Sequence, residues 1–190
     1  MRPRIPRPPA HERGGRRPDD DVRLSAELAA VVAAARRRAV RNRDRHIDTA
    51  HLLHALLESG PEVRAVLGDG PRIARLLGYL VQRSIGYGLR WQSGVEDSGA
   101  LPVVTGATAA GADGCSPLAA AALECARERA ARRGDYLADG PDLLAALVAD
   151  PQARAVEVLT RAGIDARELA TRLDGTHGLD EAVGRPSGPG

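Results

Sequence analysis

The stretch Asp48-Thr49-Ala50-His51-Leu52-Leu53-His54-Ala55-Leu56-Leu57 decides the fold. Asp48 or Thr49 can cap a helix, because a side-chain oxygen there accepts a backbone N–H that has no partner in the first turn. Leu52, Leu53, Leu56 and Leu57 then recur at i, i+1, i+4 and i+5, one face of a helix. A second copy stands 91 residues on, as Asp139-Gly140-Pro141-Asp142-Leu143-Leu144-Ala145-Ala146-Leu147-Val148.

Working outward, the match extends to whole elements. Ser25 opens a helix whose buried stripe is Leu28, Val31, Val32, Ala35 and Ala39, with Leu24 before it as a hydrophobic staple. Residues 116–133 match 25–42 at the same offset of 91, pairing Ser25 with Ser116 and Asp44 with Asp135. Pro117 follows Ser116 at the first helical position, where its missing N–H costs nothing. Short helices are expected at about 61–68, from 71 to about 84 and at about 165–173. In the third of these four-helix-unit elements Val63, Val66 and Leu67 point inward. In the fourth, Ile73, Leu76, Leu77, Leu80 and Val81 do so. One inserted residue later, Val158-Leu159 answers Val66-Leu67. Such a repeat predicts two four-helix units packed about a pseudo-twofold axis.

Composition agrees with an all-α fold. Of the residues, 43% are apolar but only 2% are aromatic, and there is no Phe. A core of Leu, Val and Ala favours helix over strand. All 27 basic residues are Arg, and with the abundant Ala, Gly and Pro this reads as codon bias. The net charge of +2 argues against a strong polyanion binder overall. No apolar run approaches the roughly 18 residues a membrane helix needs. The start is Arg- and Pro-rich rather than a secretory signal. Cys115 and Cys125 read as reduced, small buried residues of a cytoplasmic protein. Ten residues along one helix would set them about 15 Å apart, too far for a disulfide.

The expected organisation is a disordered Arg/Pro-rich arm at 1–22 and a double repeat over 23–174. Repeat one spans 24–84, an insert and linker 85–114, and repeat two 115–174. A disordered tail follows at 175–190. Within the insert, Ile85, Tyr87, Leu89 and Trp91 alternate as a short strand would, and with Tyr79 they gather three of the four Tyr and Trp residues.

Taken with its repetition, Thr49-Ala50-His51-Leu52-Leu53 resembles the double repeat at the N-terminus of Clp ATPases of the ClpA and ClpC type, over about 24–81 and 115–174. The resemblance implies an all-α pseudo-dimer that receives adaptors and substrates. In the ClpC branch it also implies binding of phosphorylated arginine, some antibiotics and regulators. Three departures matter. Without Lys there is no phosphate-binding ATPase loop, so the chain is not expected to be an unfoldase. An acid that holds guanidinium in the ClpC branch is replaced by Ala50 and Pro141, whose side chains accept no hydrogen bond. The family's Phe at the repeat starts is replaced by Leu24 and Cys115.

Chemistry is otherwise sparse. His51 and His54, with Glu58 four residues on, have metal-ligand spacing, but a single short helix supplies them. His51 reads as a structural histidine near a helix start. No nucleophile elbow or dinucleotide loop is present, and no metal, cofactor or catalytic residue is expected. The expected function is a non-catalytic protein-interaction module of the Clp chaperone–protease system. It would bind peptides, substrates or Clp components as adaptor, regulator or decoy. Its partner-binding residues would be Thr49, Ala50, His51, Tyr87, Trp91, Gly140, Pro141 and Asp142. The alternative is nucleic-acid binding through the arm and Arg36, Arg37, Arg38, Arg41, Arg43 and Arg45. A Clp-associated peptidase ranks last, because the residues supply no mechanism.

Overall fold

A computed structural model describes residues 22–68, 70–84, 96 and 114–183. Its helices are α1 (Ala26–Asn42), α2 (Thr49–Ser59), α3 (Pro61–Leu67), α4 (Gly70–Ser84), α5 (Pro117–Arg133), α6 (Gly140–Ala149), α7 (Arg154–Arg161) and α8 (Ala166–Val183). Two-residue strands β1 (Arg23–Leu24) and β2 (Leu137–Ala138) pair in parallel. The all-α expectation holds; α1–α4 make up the first half of the described residues and α5–α8 the second.

Local chemistry sets the starts. Ser25 Oγ accepts the Leu28 N–H at 3.1 Å and Ser116 Oγ the Ala119 N–H at 3.2 Å. Asp48 and Asp139 begin capping boxes at α2 and α6. Both first helices end in a left-handed residue, Arg43 (φ 60°) in one half and Gly134 (φ 82°) in the other. Glycine takes this conformation without a Cβ clash, whereas Arg43 is strained there.

The halves are joined by one backbone bond made twice. The Ser25 N–H donates to the Ala138 carbonyl at 2.9 Å, and the Ser116 N–H to the Ile47 carbonyl at 2.8 Å. Moving Ser25 up by 91 positions and Ala138 down by 91 turns the first pair into the second, as a twofold relation requires. The bridge between Ile47 and Cys115 likewise answers the pairing of Leu24 with Ala138. These strands escape sequence reading because each is set by a partner more than a hundred residues away.

Burial corrects the amphipathic reading of α2. Every residue from Thr49 to Leu57 is buried, so the helix is enclosed rather than one-sided. It packs against α1, α3 and α4 of its own half and α5, α6 and α7 of the other. α6 is its counterpart, buried from Asp142 to Val148. Gly140 permits this closeness: a Cβ there would come within 3.2 Å of Val63 Cγ2. At the rim of α4, Leu76 and Leu80 are buried, but Val81 is 48% exposed and not inward as its spacing suggested. α8 runs ten residues beyond 173. The expected strand at 85–91, with Tyr87 and Trp91, lies outside the described residues, as do the arm up to residue 21 and the chain after 183.

His54, one turn into α2, is 2% exposed. Burial, aided by the Arg38 charge and opposed by Glu58, pulls its pKa from 6.5 to about 4. The unfolded chain therefore takes up this proton first. Stability from a neutral His54 is complete above pH 6.5 and is lost as the pH falls towards 4, with a slope of at most about 1.4 kcal/mol per pH unit. Glu96, discussed below, titrates in the opposite sense. The check is therefore the difference between wild type and His54→Leu in urea unfolding from pH 7 to 4, which should narrow as the pH drops.

Candidate functional site

Three helix N-termini of the described residues converge on one side chain. Glu96 is 3% exposed and accepts four hydrogen bonds. Thr49 gives its backbone N–H to Oε1 at 3.0 Å and its hydroxyl to Oε2 at 2.9 Å. The Ser116 hydroxyl donates to Oε1 at 3.1 Å, and the Arg154 N–H to Oε2 at 3.1 Å. Thr49 and Arg154 are the first residues of α2 and α7, and Ser116 caps α5. Each helix start carries partial positive charge, so the junction suits an anion.

A second buried acid lies beside it. Asp48 Oδ1 caps His51 N–H at 2.8 Å, and Oδ2 accepts from Arg154 Nη1 at 2.8 Å. Arg154 thus spans both acids, with its Nε 3.7 Å from Glu96. Burial, then the charge of Asp48, raises the Glu96 pKa against the lowering effect of the Thr49 and Arg154 donors.

His51 sits next in line. Its Nε2 lies 3.0 Å from Asp44 Oδ2. Its Nδ1 lies 3.1 Å from the Asp48 amide nitrogen and 2.7 Å from Asp48 Oδ1. A neutral ring accepts from the amide, and a protonated one donates to Oδ1, so the imidazole is partnered in either state. The other half performs the same task with different charges. Asp142 stands where His51 does, accepts the Asp139 N–H at 3.2 Å, and is clamped by both terminal nitrogens of Arg133. Burial alone would raise the Asp142 pKa, but Arg133 and the Asp139 amide hold it below the usual range. Asp139 shifts upward, chiefly through burial. Arg133, hydrogen-bonded to Asp142, is held more firmly protonated than usual.

Two concavities flank this junction. A polar cleft of about 310 Å³ rises from Asp48, Glu96, Ser116 and Arg154 past the loop Arg43-Asp44-Arg45-His46. An apolar groove of about 400 Å³ begins at Thr49 and runs between α5 and α6, lined chiefly by Leu118, Ala121, Cys125, Ala146 and Pro151.

Of the sequence-derived partner residues, Thr49, Ala50, His51 and Asp142 are all under 5% exposed. Gly140 and Pro141 are half-buried. Thr49 alone of these lines the apolar groove. The basic candidates divide. Arg36, Arg37, Arg41, Arg43 and Arg45 are exposed, whereas Arg38 is half-buried and forks onto both oxygens of Glu58 at 2.6 Å. Sequence reasoning missed Glu96 and Arg154. Glu96 lies in a stretch with no periodicity, and Arg154 looks like any polar residue in a helix's first turn.

No family model and no curated protein matches the sequence. Solved structures do match its fold. The N-terminal domain of the caseinolytic-protease-associated chaperone ClpD from Arabidopsis thaliana superposes with a TM-score of 0.55 at 18% identity, covering 81% of this chain and 94% of that one. A structure from work on a malarial protein secretion system gives 0.55 at 15% identity, with the same coverage. The chain has a Clp N-domain-like fold. Among the described residues no helix is long and apolar enough to cross a membrane.

Proposed function

We propose that this chain is a non-catalytic, cytoplasmic protein-interaction module of the Clp chaperone–protease kind. It binds peptides, degradation substrates or Clp components, as adaptor, regulator or decoy. The observation that carries the reading is the apolar groove beside the α2 start, set in a fold like that of a Clp-associated chaperone's N-terminal domain. A concave, mostly apolar surface with a few polar groups at one end suits a peptide. The residues proposed to meet the partner are those lining the groove, with Thr49 at its end, and the half-buried Gly140 and Pro141 at the α6 start, together with Tyr87 and Trp91. The buried Ala50, His51 and Asp142 shape that surface from beneath. Capture of a purified Clp ATPase or an unfolded Clp substrate by the immobilised chain tests this reading. Retention of neither by a folded chain would end it.

The groove gives a sharper test. Ala121 lines it and is exposed. Ala121→Arg should fill the groove while changing stability by no more than about 0.5 kcal/mol, as surface substitutions do. Partner affinity should fall about tenfold or more, equivalent to about 1.4 kcal/mol. Unchanged affinity by titration would move the partner surface elsewhere.

The phosphoarginine chemistry of the ClpC branch is not part of the proposal. Ala50 is buried and, like Pro141, offers no side-chain acceptor. A second reading, nucleic-acid binding, draws on the exposed Arg36, Arg37, Arg41, Arg43 and Arg45. It predicts DNA retention that falls steeply with salt and is lost when Arg36 and Arg37 are neutralised. Absence of retention even at low salt removes it.

A further inference from the structure

We propose that the junction of the α2, α5 and α7 N-termini is a carboxylate-recognition subsite, with Glu96 as its intramolecular occupant, and that an acidic side chain of a bound polypeptide can take the place of Glu96. This deepens the peptide-binding reading by assigning the chemistry of one subsite.

Three observations support it. First, the donor set is complete without any backbone of residue 96 itself: two N–H groups and two hydroxyls hold one carboxylate at 2.9–3.1 Å. Such charge-assisted bonds recognise the carboxylate group and are indifferent to the chain that carries it. Second, the subsite exists on one side of the pseudo-twofold only. By the offsets of 91 and 92, the positions answering Thr49 and Arg154 in the other half are Gly140 and Glu62. Gly140 has no hydroxyl to match that of Thr49, and a Cβ at Gly140 would press on Val63. The half that holds the acid has a hydroxyl at the α2 start that the α6 start lacks, although both helices are capped without it. Third, the subsite lies at the floor of the 310 Å³ cleft, whose outer residues are Arg43, Asp44, Arg45 and His46, all exposed. Two arginines against one aspartate, itself 3.0 Å from His51, leave that rim net basic, which draws in acidic ligands. Asp48 also lies at the floor, but Arg154 Nη1 pairs with it at 2.8 Å.

Chemical rescue tests the subsite without any protein partner, so its result stands apart from the capture experiment above. In Glu96→Gly, sodium acetate should raise the unfolding midpoint saturably. Wild type should not respond, nor should Glu96→Gly carrying Thr49→Val, which lacks one donor. Chloride at equal ionic strength should give no such rise. Inorganic phosphate should give a smaller one. A folded Glu96→Gly that ignores acetate, or one that responds as well to phosphate, overturns the carboxylate assignment. If Glu96→Gly does not fold, Glu96→Gln serves instead, through the affinity of a labelled hexaglutamate peptide. Removing the internal competitor's charge should tighten that affinity about tenfold if Glu96 holds the subsite nine-tenths of the time. Equal affinity in wild type and Glu96→Gln overturns the proposal.

Discussion

Arg154→Ala should lower stability by about 3–5 kcal/mol, because it leaves two buried carboxylates facing each other without their cation. Asp48 is 2% and Glu96 3% exposed, and Arg154 is the guanidinium that reaches both. Helix N-termini soften the loss but do not supply a full charge. The deficit should be largest at neutral pH. At lower pH the stranded acids bind protons in the folded variant more readily than in wild type, so the two stabilities should converge. Urea unfolding at pH 7 and pH 5 measures both effects. Arg38→Ala is the matched control. Glu58, its partner, is 48% exposed, and a pair so open to water is worth about 0–1 kcal/mol. Similar losses for the two variants would mean that the junction is not the electrostatic centre of the fold.

Leu53→Ala should cost about 2–5 kcal/mol, the range for a fully buried leucine truncated to leave a cavity. Leu53 has no exposed surface and lies in α2, the helix enclosed by both halves. Cavity and transfer costs both apply there, because α2 cannot collapse towards one neighbour without leaving another. Val81→Ala, at the rim of α4, should cost about 0.5 kcal/mol or less. The contrast matters because spacing alone ranks both residues as inward. A single cooperative transition, displaced as a whole in Leu53→Ala, is expected if the halves share one core. Two separated transitions would mean that each half unfolds by itself.

How far this arrangement can be read from the chain depends on the distance over which each feature is decided. Helix starts are local: Ser25, Asp48, Ser116 and Asp139 each cap within three residues, and the sequence marked Ser25 and Ser116 as helix starts and Asp48 as one of two candidate caps. The relation between halves was visible because the same residues recur 91 positions on. Burial was less so. Leu52, Leu53, Leu56 and Leu57 mark one face of α2, but nothing in their spacing says that Ala50, His51 and His54 are covered from the other side. The junction was not legible at all. Glu96 meets Thr49 across 47 positions and Arg154 across 58, and no periodicity links an acid to such partners. The charge exchange between His51 and Asp142 was half visible. Both sit third in their helices, but only the fold brings Asp44 to one and Arg133 to the other.

The central claim is that a polypeptide partner docks in the groove between α5 and α6. Backbone amide spectra of the isotope-labelled chain, recorded while a purified Clp ATPase is added, test it most directly. Selective broadening of the amides of Leu118–Cys125 and Ala146–Ala153, abolished by Ala121→Arg, is the predicted result. A spectrum that stays unchanged, or broadening confined to Arg36–Arg45, would contradict it.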